Sequence, residues 1–212
     1  MAATYRSIAG LVGWAALILQ YVLMVGGQPL AVLAERTVNY FSFFTILSNL
    51  LVALALSAPA LARWSGFARW WLKPVVRGAI ALYIAVVMAI YHLLLREIWD
   101  PQGWQLVADV TLHYVMPILY LVDWLAFAPK VRLAWRAAVW WLAFPALYGL
   151  WSLIHGAMTG WYPYPFLDVG TLGYPRTLGN MAGMVVAFLV PALIVVAIDR
   201  ALARRRPTTP LP

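Results

Sequence analysis

The sequence predicts an all-α integral membrane protein, a bundle of six transmembrane helices with both termini in the cytoplasm. Three observations carry that expectation. Hydrophobic residues make up 65% of the chain and charged residues 10%, with a mean hydropathy of +0.83. So few polar side chains cannot cover a soluble globule of 212 residues. Six mainly apolar runs each approach the roughly 20 residues needed to cross about 30 Å of hydrocarbon. The basic residues fall on alternate connections between those runs.

The first run, residues 5–26, is longer than the apolar core of a secretory signal and has no small-residue cleavage pattern before GGQP, so it reads as a retained span. The second, 40–62, opens on an unusually polar stretch, NYFSFFTILSN. The third covers 77–97, the fourth 106–127, the fifth 134–157 and the sixth 176–199. Short connections make residues 1–200 a single membrane domain, and 201–212 read as a basic, proline-containing cytoplasmic tail. Trp64, Trp70, Trp71, Trp99, Trp104, Trp135 and Trp161 fall near span ends, as in an aromatic belt. Gly179 and Gly183, four residues apart in the sixth span, allow close helix packing.

With the amino terminus inside, one side of the membrane receives Arg6, Arg63, Arg69, Lys73, Arg77, Lys130, Arg132, Arg136, Arg200, Arg204, Arg205 and Arg206, which is 12 of the 15 basic residues. The other side receives Arg36, Arg96 and Arg176. Positive charge concentrates on cytoplasmic connections, so both termini are expected there. The net charge of +8 suits anionic lipid headgroups. No soluble basic domain exists to read nucleic acid, and none is expected as a partner. The chain has no cysteine, which excludes disulfides and thiolate metal ligands.

Polar residues converge in one half of the predicted bundle. Thr45 and Asn49 lie about 5 to 9 residues into the second span and His113 about 7 into the fourth, roughly 7 to 14 Å below the outer boundary at 1.5 Å per residue. His92, His155 and Asn180 fall in the same half. Asp109, His113, Met116, Tyr120 and Asp123 recur at steps of four and three, a single helical stripe. Ser42, Thr45 and Asn49 form another, and Tyr148, Ser152 and His155 a third. Ionisable groups at membrane depth are costly and face the protein interior or a wet cavity. Pro117, lacking an N–H, leaves the His113 carbonyl without its helical partner.

Two readings of these residues compete. In one, Thr45, Ser48 and Asn49 bond to their own helix or bind neighbouring helices, and His113 is a buried histidine held by a carbonyl. In the other, they form a nucleophile with its base and supporting shell, and Asp109 orients His113 from one turn away. Asp109 also suits a helix amino terminus. Asp123 and Asp199, near Lys130 and Arg200, read as interfacial charge pairs. GWYPYPFLD reads as a cap over the bundle or the rim of a pocket.

The pattern FSFFTILSN, LHYVMPILYLVDW and WYPYPFLD, spread over most of a six-span chain, resembles the androgen-induced protein family and its bacterial six-span relatives. That resemblance implies a membrane-embedded hydrolase of fatty acid esters of hydroxy fatty acids, or similar lipid esters, in a bacterial inner membrane. It implies a threonine nucleophile, which Thr45 matches, and a histidine, which His113 matches. Sliding the register by three makes Ser42 the alternative nucleophile. Tyr164, Pro165, Phe166 and Asp168 match the family's aromatic-proline loop. Ser48, Asn49 and Asp109 are then oxyanion or supporting residues, and His92, Tyr114, His155 and Asn180 join the loop as pocket or rim. Neither cofactor nor metal is expected, and the partner is a membrane lipid or lipid ester. The rival readings are a metal or haem binder using His92, His113 and His155, and a non-catalytic lipid-binding or transport protein.

Overall fold

The computed structural model describes residues 1–61 and 65–204. Among them every regular element is helical. Helix α1 spans Ala2–Val25, α2 Leu30–Phe41, α3 Phe44–Leu61 and α4 Gly66–Trp71. Helix α5 spans Pro74–Ile90 and runs on into a π-helical turn, Tyr91–Leu95. Helix α6, Trp104–Val110, continues through a second π turn, Thr111–Val115, into α7, Met116–Phe127. Helix α8 spans Arg136–Trp140, α9 Ala143–Thr159 and α10 Val169–Arg204.

Five helical segments are long and apolar enough to cross a membrane, and the bent pair α2 and α3 makes a sixth. The chain is a multi-pass membrane protein. The span around α5 is central: half of its most apolar window is buried, against 22% for α10. Helix α5 packs on α3, α7 and α10, while α1 packs on α3 and the α6–α7 segment. Gly13 permits that second contact, because a β-carbon there would meet the end of Met116 at 2.7 Å.

Three features depart from the sequence expectations. The connection before the second span is itself helical, as α2, and meets α3 at 72°. The break falls at Ser42 and Phe43, where no proline or glycine signals it. The last helix runs through Arg204, four residues into the expected tail; residues 205–212, like Arg63 and Trp64, lie outside the described residues. Gly179 and Gly183 are exposed and a β-carbon at either would meet nothing within 4 Å, so they mediate no close packing within the chain. Small residues alone do not choose a partner helix.

Arg6, Arg77, Asp123, Lys130 and Asp199 gather at one end of the bundle, hereafter the basic end. Asp123 is fully buried between Arg77 and Arg6, whose Nε lies 2.7 Å from Asp123 Oδ1. Lys130 instead donates to the carbonyls of Trp124 and Ala128, at 2.5 and 2.8 Å, and lies over the Trp124 ring. Asp199 accepts from the Leu133 N–H at 2.8 Å. The interfacial pairs expected from sequence proximity are therefore replaced by partners distant in the chain, Arg6 and Arg77 for Asp123 and Leu133 for Asp199.

Candidate active site

The break between α2 and α3 prepares Thr45. In this chain a hydroxyl on a helix ordinarily bonds the carbonyl four residues back: Thr37 to Leu33, Ser42 to Val38, Thr111 to Val107, Ser152 to Tyr148 and Thr159 to His155, at 2.6 to 3.0 Å, and Ser57 to Ala53. For Thr45 that carbonyl belongs to Phe41, the last residue of α2, beyond the bend. Its hydroxyl turns instead to the His113 Nε2 at 3.2 Å and the Tyr164 hydroxyl at 3.3 Å. Thr45 is also the second residue of α3, where the backbone N–H has no helical acceptor. That N–H donates to the Tyr164 hydroxyl oxygen at 3.3 Å. One bend frees both polar groups of one residue.

His113 is held on three sides. It sits in the π turn that precedes Pro117, where the regular ladder is already interrupted. Its Nδ1 lies 3.0 Å from the Asp109 carbonyl oxygen and 3.2 Å from Asp109 Oδ1, so the proton belongs on Nδ1 and Nε2 carries the lone pair facing Thr45. The Tyr91 ring stacks on the imidazole at 3.9 Å and 16°. The Tyr91 hydroxyl donates to Asp109 Oδ2. Tyr91 lies in the other π turn, so both irregular turns deliver a residue to the same centre. The sequence reading missed Tyr91; at the amino end of YHLLL it carries no motif signal beyond a phenol at membrane depth.

Tyr164 comes from the loop between α9 and α10. Gly160 ends α9 in a left-handed conformation (φ 74°), and Tyr162 then packs over Gly156, where a β-carbon would overlap its ring. Phe166 stacks on Tyr164 at 5.2 Å, and Asn180 Nδ2 donates to the Phe166 carbonyl at 2.9 Å, tying the loop to α10. Asp168 caps α10, accepting from the Thr171 hydroxyl at 2.6 Å and its N–H at 3.2 Å; these bonds hold its carboxyl below the usual range. Burial raises the Tyr164 pKa further above neutral.

Two cavities meet at this centre, and Thr45, Tyr91, Leu95 and Tyr164 line both. The first, about 320 Å³, runs between α5, α9 and α10 and is otherwise almost wholly apolar, with Val86, Met184 and Phe188 among its walls. The second, about 510 Å³, contains His113 and Asp109 and is lined by Gln20, Gln105, Trp161 and Pro165.

Other expected site residues stand apart. The Ser42 hydroxyl accepts from Trp151 Nε1 at 3.0 Å besides donating to Val38, lines neither cavity and does not meet His113. Asn49 Nδ2 is committed to the carbonyls of Thr45 and Leu112, at 2.9 and 3.0 Å, so it fixes the α3 and α6–α7 backbones rather than facing an oxyanion. Ser48 is fully buried outside both cavities, its hydroxyl without a partner. His92 is exposed and bonds the Tyr114 hydroxyl at 3.1 Å; neither lines a cavity. His155 is buried in a stack on Trp151 at 5.5 Å, again outside the cavities. Asp168 and Asn180 act on the loop, not on the cavity walls. Among the described residues no three His, Asp or Glu side chains converge as a metal-binding group, and the three histidines have separate surroundings. Phase and depth put these residues in one region, but local bonds such as Ser42 to Val38 and Asp168 to Thr171, and distant ones such as Trp151 to Ser42, keep them off the cavity walls.

Compared with protein-family models, with curated proteins and with solved structures, the chain finds no match in any of the three.

Proposed function

We propose that this protein is a membrane-embedded hydrolase of lipid esters, with Thr45 as nucleophile and His113 as general base and acid. The observation that carries the proposal is the Thr45 hydroxyl, released from its own helix, 3.2 Å from His113 Nε2 at the junction of two cavities. Those are the requirements of an activated nucleophile: a base within reach, a third group orienting the base, and room for a reacting carbonyl. Fatty acid esters of hydroxy fatty acids are the substrate class that the family resemblance implies.

In the proposed cycle His113 Nε2 takes the Thr45 proton as Oγ1 attacks the ester carbonyl carbon. The carbonyl oxygen becomes an oxyanion, for which the Tyr164 hydroxyl and the Thr45 backbone N–H are the nearest donors. The N–H lies at the amino end of α3, where the helix dipole favours negative charge. Collapse breaks the carbonyl–alkoxy bond, and His113 passes its proton to the leaving alcohol. Water then repeats the sequence: His113 takes its proton, the hydroxide attacks the acyl-threonine, and Thr45 recovers the proton as its ester bond breaks. Asp109 and Tyr91 keep the imidazole in the required tautomer and orientation. The 12 to 3 distribution of basic residues supports a cytoplasmic basic end, with both termini there and the site toward the opposite face.

Reaction of the purified protein with a broad serine/threonine-hydrolase probe, followed by peptide mapping, tests the proposal. A covalent adduct on Thr45, competed by a long-chain ester, is expected. An adduct on Ser42, or active protein that never labels and turns over fully as Thr45→Ala, would overturn it.

A further inference from the structure

Thr45 stands in the wall shared by two cavities of different chemistry, and the pair of cavities specifies more than ester cleavage. His113 lines only the second. A general acid must touch the leaving oxygen, so the alcohol side of the ester has to lie where His113 does. The acyl carbon, once bonded to Thr45 Oγ1, has its chain on the other side, where the described residues lining the first cavity include no histidine, carboxylate or side-chain amide. The second cavity, with Gln105 Nε2 donating to Gln20 Oε1 at 2.8 Å on its wall, is the more polar route for the departing alcohol and the incoming water. Among the described residues neither cavity is lined by Lys or Arg, and their one carboxylate, Asp109, is committed to Tyr91 and His113.

We infer that the enzyme divides its substrate at the carbonyl, with the acyl chain in the α5–α9–α10 cavity and the alcohol arm in the His113 cavity. The inference rests on the hydrolase proposal and deepens it. Together the cavities fall within the range of sites for small organic ligands. The two arms of the substrate so defined are not interchangeable.

Two ester series test this with the full-length protein in nanodiscs. One varies the acyl chain on a fixed alcohol, the other varies the alcohol on a fixed acyl group. Met184→Trp fills the first cavity, and Ala146→Phe narrows it from an exposed position on α9 that is expected to tolerate the change. Met24→Trp fills the second. For the first two variants the ratio of kcat/KM for long over short acyl chains should fall by about tenfold or more, while the ratio across the alcohol series holds. Met24→Trp should do the reverse.

If the variants shift the opposite series, or both series equally, the division of arms is wrong while Thr45-dependent turnover still stands. Folded wild-type protein that cleaves neither series and forms no Thr45 adduct would overturn this inference together with the hydrolase proposal beneath it.

Discussion

Asp109 and Asp123 lie on one stripe of the same transmembrane segment, and their surroundings are opposites. At the basic end, Asp123 is enclosed by Arg6 and Arg77, Tyr120 donates to the Arg77 carbonyl at 3.4 Å, and neither cavity reaches the cluster. At the other end, Asp109 holds His113 and Tyr91 around a hydroxyl that faces two cavities. Both ends bury polar groups at a cost that membrane depth makes large. The difference is that one cluster is closed upon itself, whereas the other leaves a lone pair, a hydroxyl and a backbone N–H at the edge of a void. Buried polarity identifies where free energy was committed; a reactive group beside open space distinguishes a site from a clamp.

The largest effect that would sharpen this contrast is loss of Thr45. Thr45→Ala should reduce ester turnover on the order of 10⁴-fold or more, as loss of a nucleophile does. His113→Ala should reduce it at least about 10²-fold. Thermal unfolding should change little in Thr45→Ala, since the residue packs at a cavity wall; collapse of the protein instead would make the two ends alike. Kinetics with a chromogenic long-chain ester, read beside a melting curve, separates these outcomes.

Asp123→Ala should behave in the opposite way. It leaves two guanidinium groups facing each other, one fully buried with Nε and Nη1 already lacking partners. Breaking a buried ion pair from one side costs about 3 to 5 kcal/mol, so the melting temperature should drop sharply while the molecules that remain folded keep their turnover. An Asp123→Ala variant with normal stability and no activity would make the basic end part of the catalytic machinery.

The sequence made the stripe legible because helical phase is local: steps of three and four align Asp109, His113 and Asp123 whatever surrounds them. It could not tell the carboxylates apart, because Asp123 finds Arg6, 117 residues away, in preference to Lys130, seven residues on. The depth of Thr45 was legible for the same local reason. Its freedom was not, since the 72° bend at Ser42 and Phe43 carries no helix-breaking residue and is fixed by tertiary bonds, including Tyr148 donating to the Ser42 carbonyl at 2.9 Å. The loop motif containing Tyr164 was visible as a pocket rim; that its hydroxyl would reach across to the amino end of α3 depends on a loop folded over Gly156.

Tyr164→Phe probes that reach. It keeps the ring that stacks on Phe166 and removes the hydroxyl that bonds Thr45 Oγ1. Loss of a single oxyanion donor reduces kcat by about 10² to 10³-fold; here the Thr45 N–H remains, so the lower end is expected, with KM nearly unchanged. A rise in KM with kcat intact would reassign Tyr164 to ground-state binding.

Ser42→Ala carries the smallest expected effect and tests the comparison most finely, because Ser42 and Thr45, aligned on one stripe by sequence phase, lie three residues apart on opposite sides of the α2–α3 bend. The Ser42 hydroxyl donates to Val38 and accepts from Trp151, a closed arrangement outside both cavities. Its removal deletes one donor and leaves the Trp151 N–H seeking another acceptor at a partly buried position, a loss of about 1 kcal/mol in stability. Turnover and probe labelling should stay within about twofold of wild type. If Ser42→Ala instead abolishes labelling while Thr45→Ala retains it, the freed hydroxyl is not the nucleophile. In that case the α2–α3 junction must rearrange in the working enzyme until Ser42 gives up both its bonds. A Thr45→Ala, Ser42→Ala double variant distinguishes the remaining case: it should match Thr45→Ala in activity, since a residue that only holds the bend adds nothing once the nucleophile is gone.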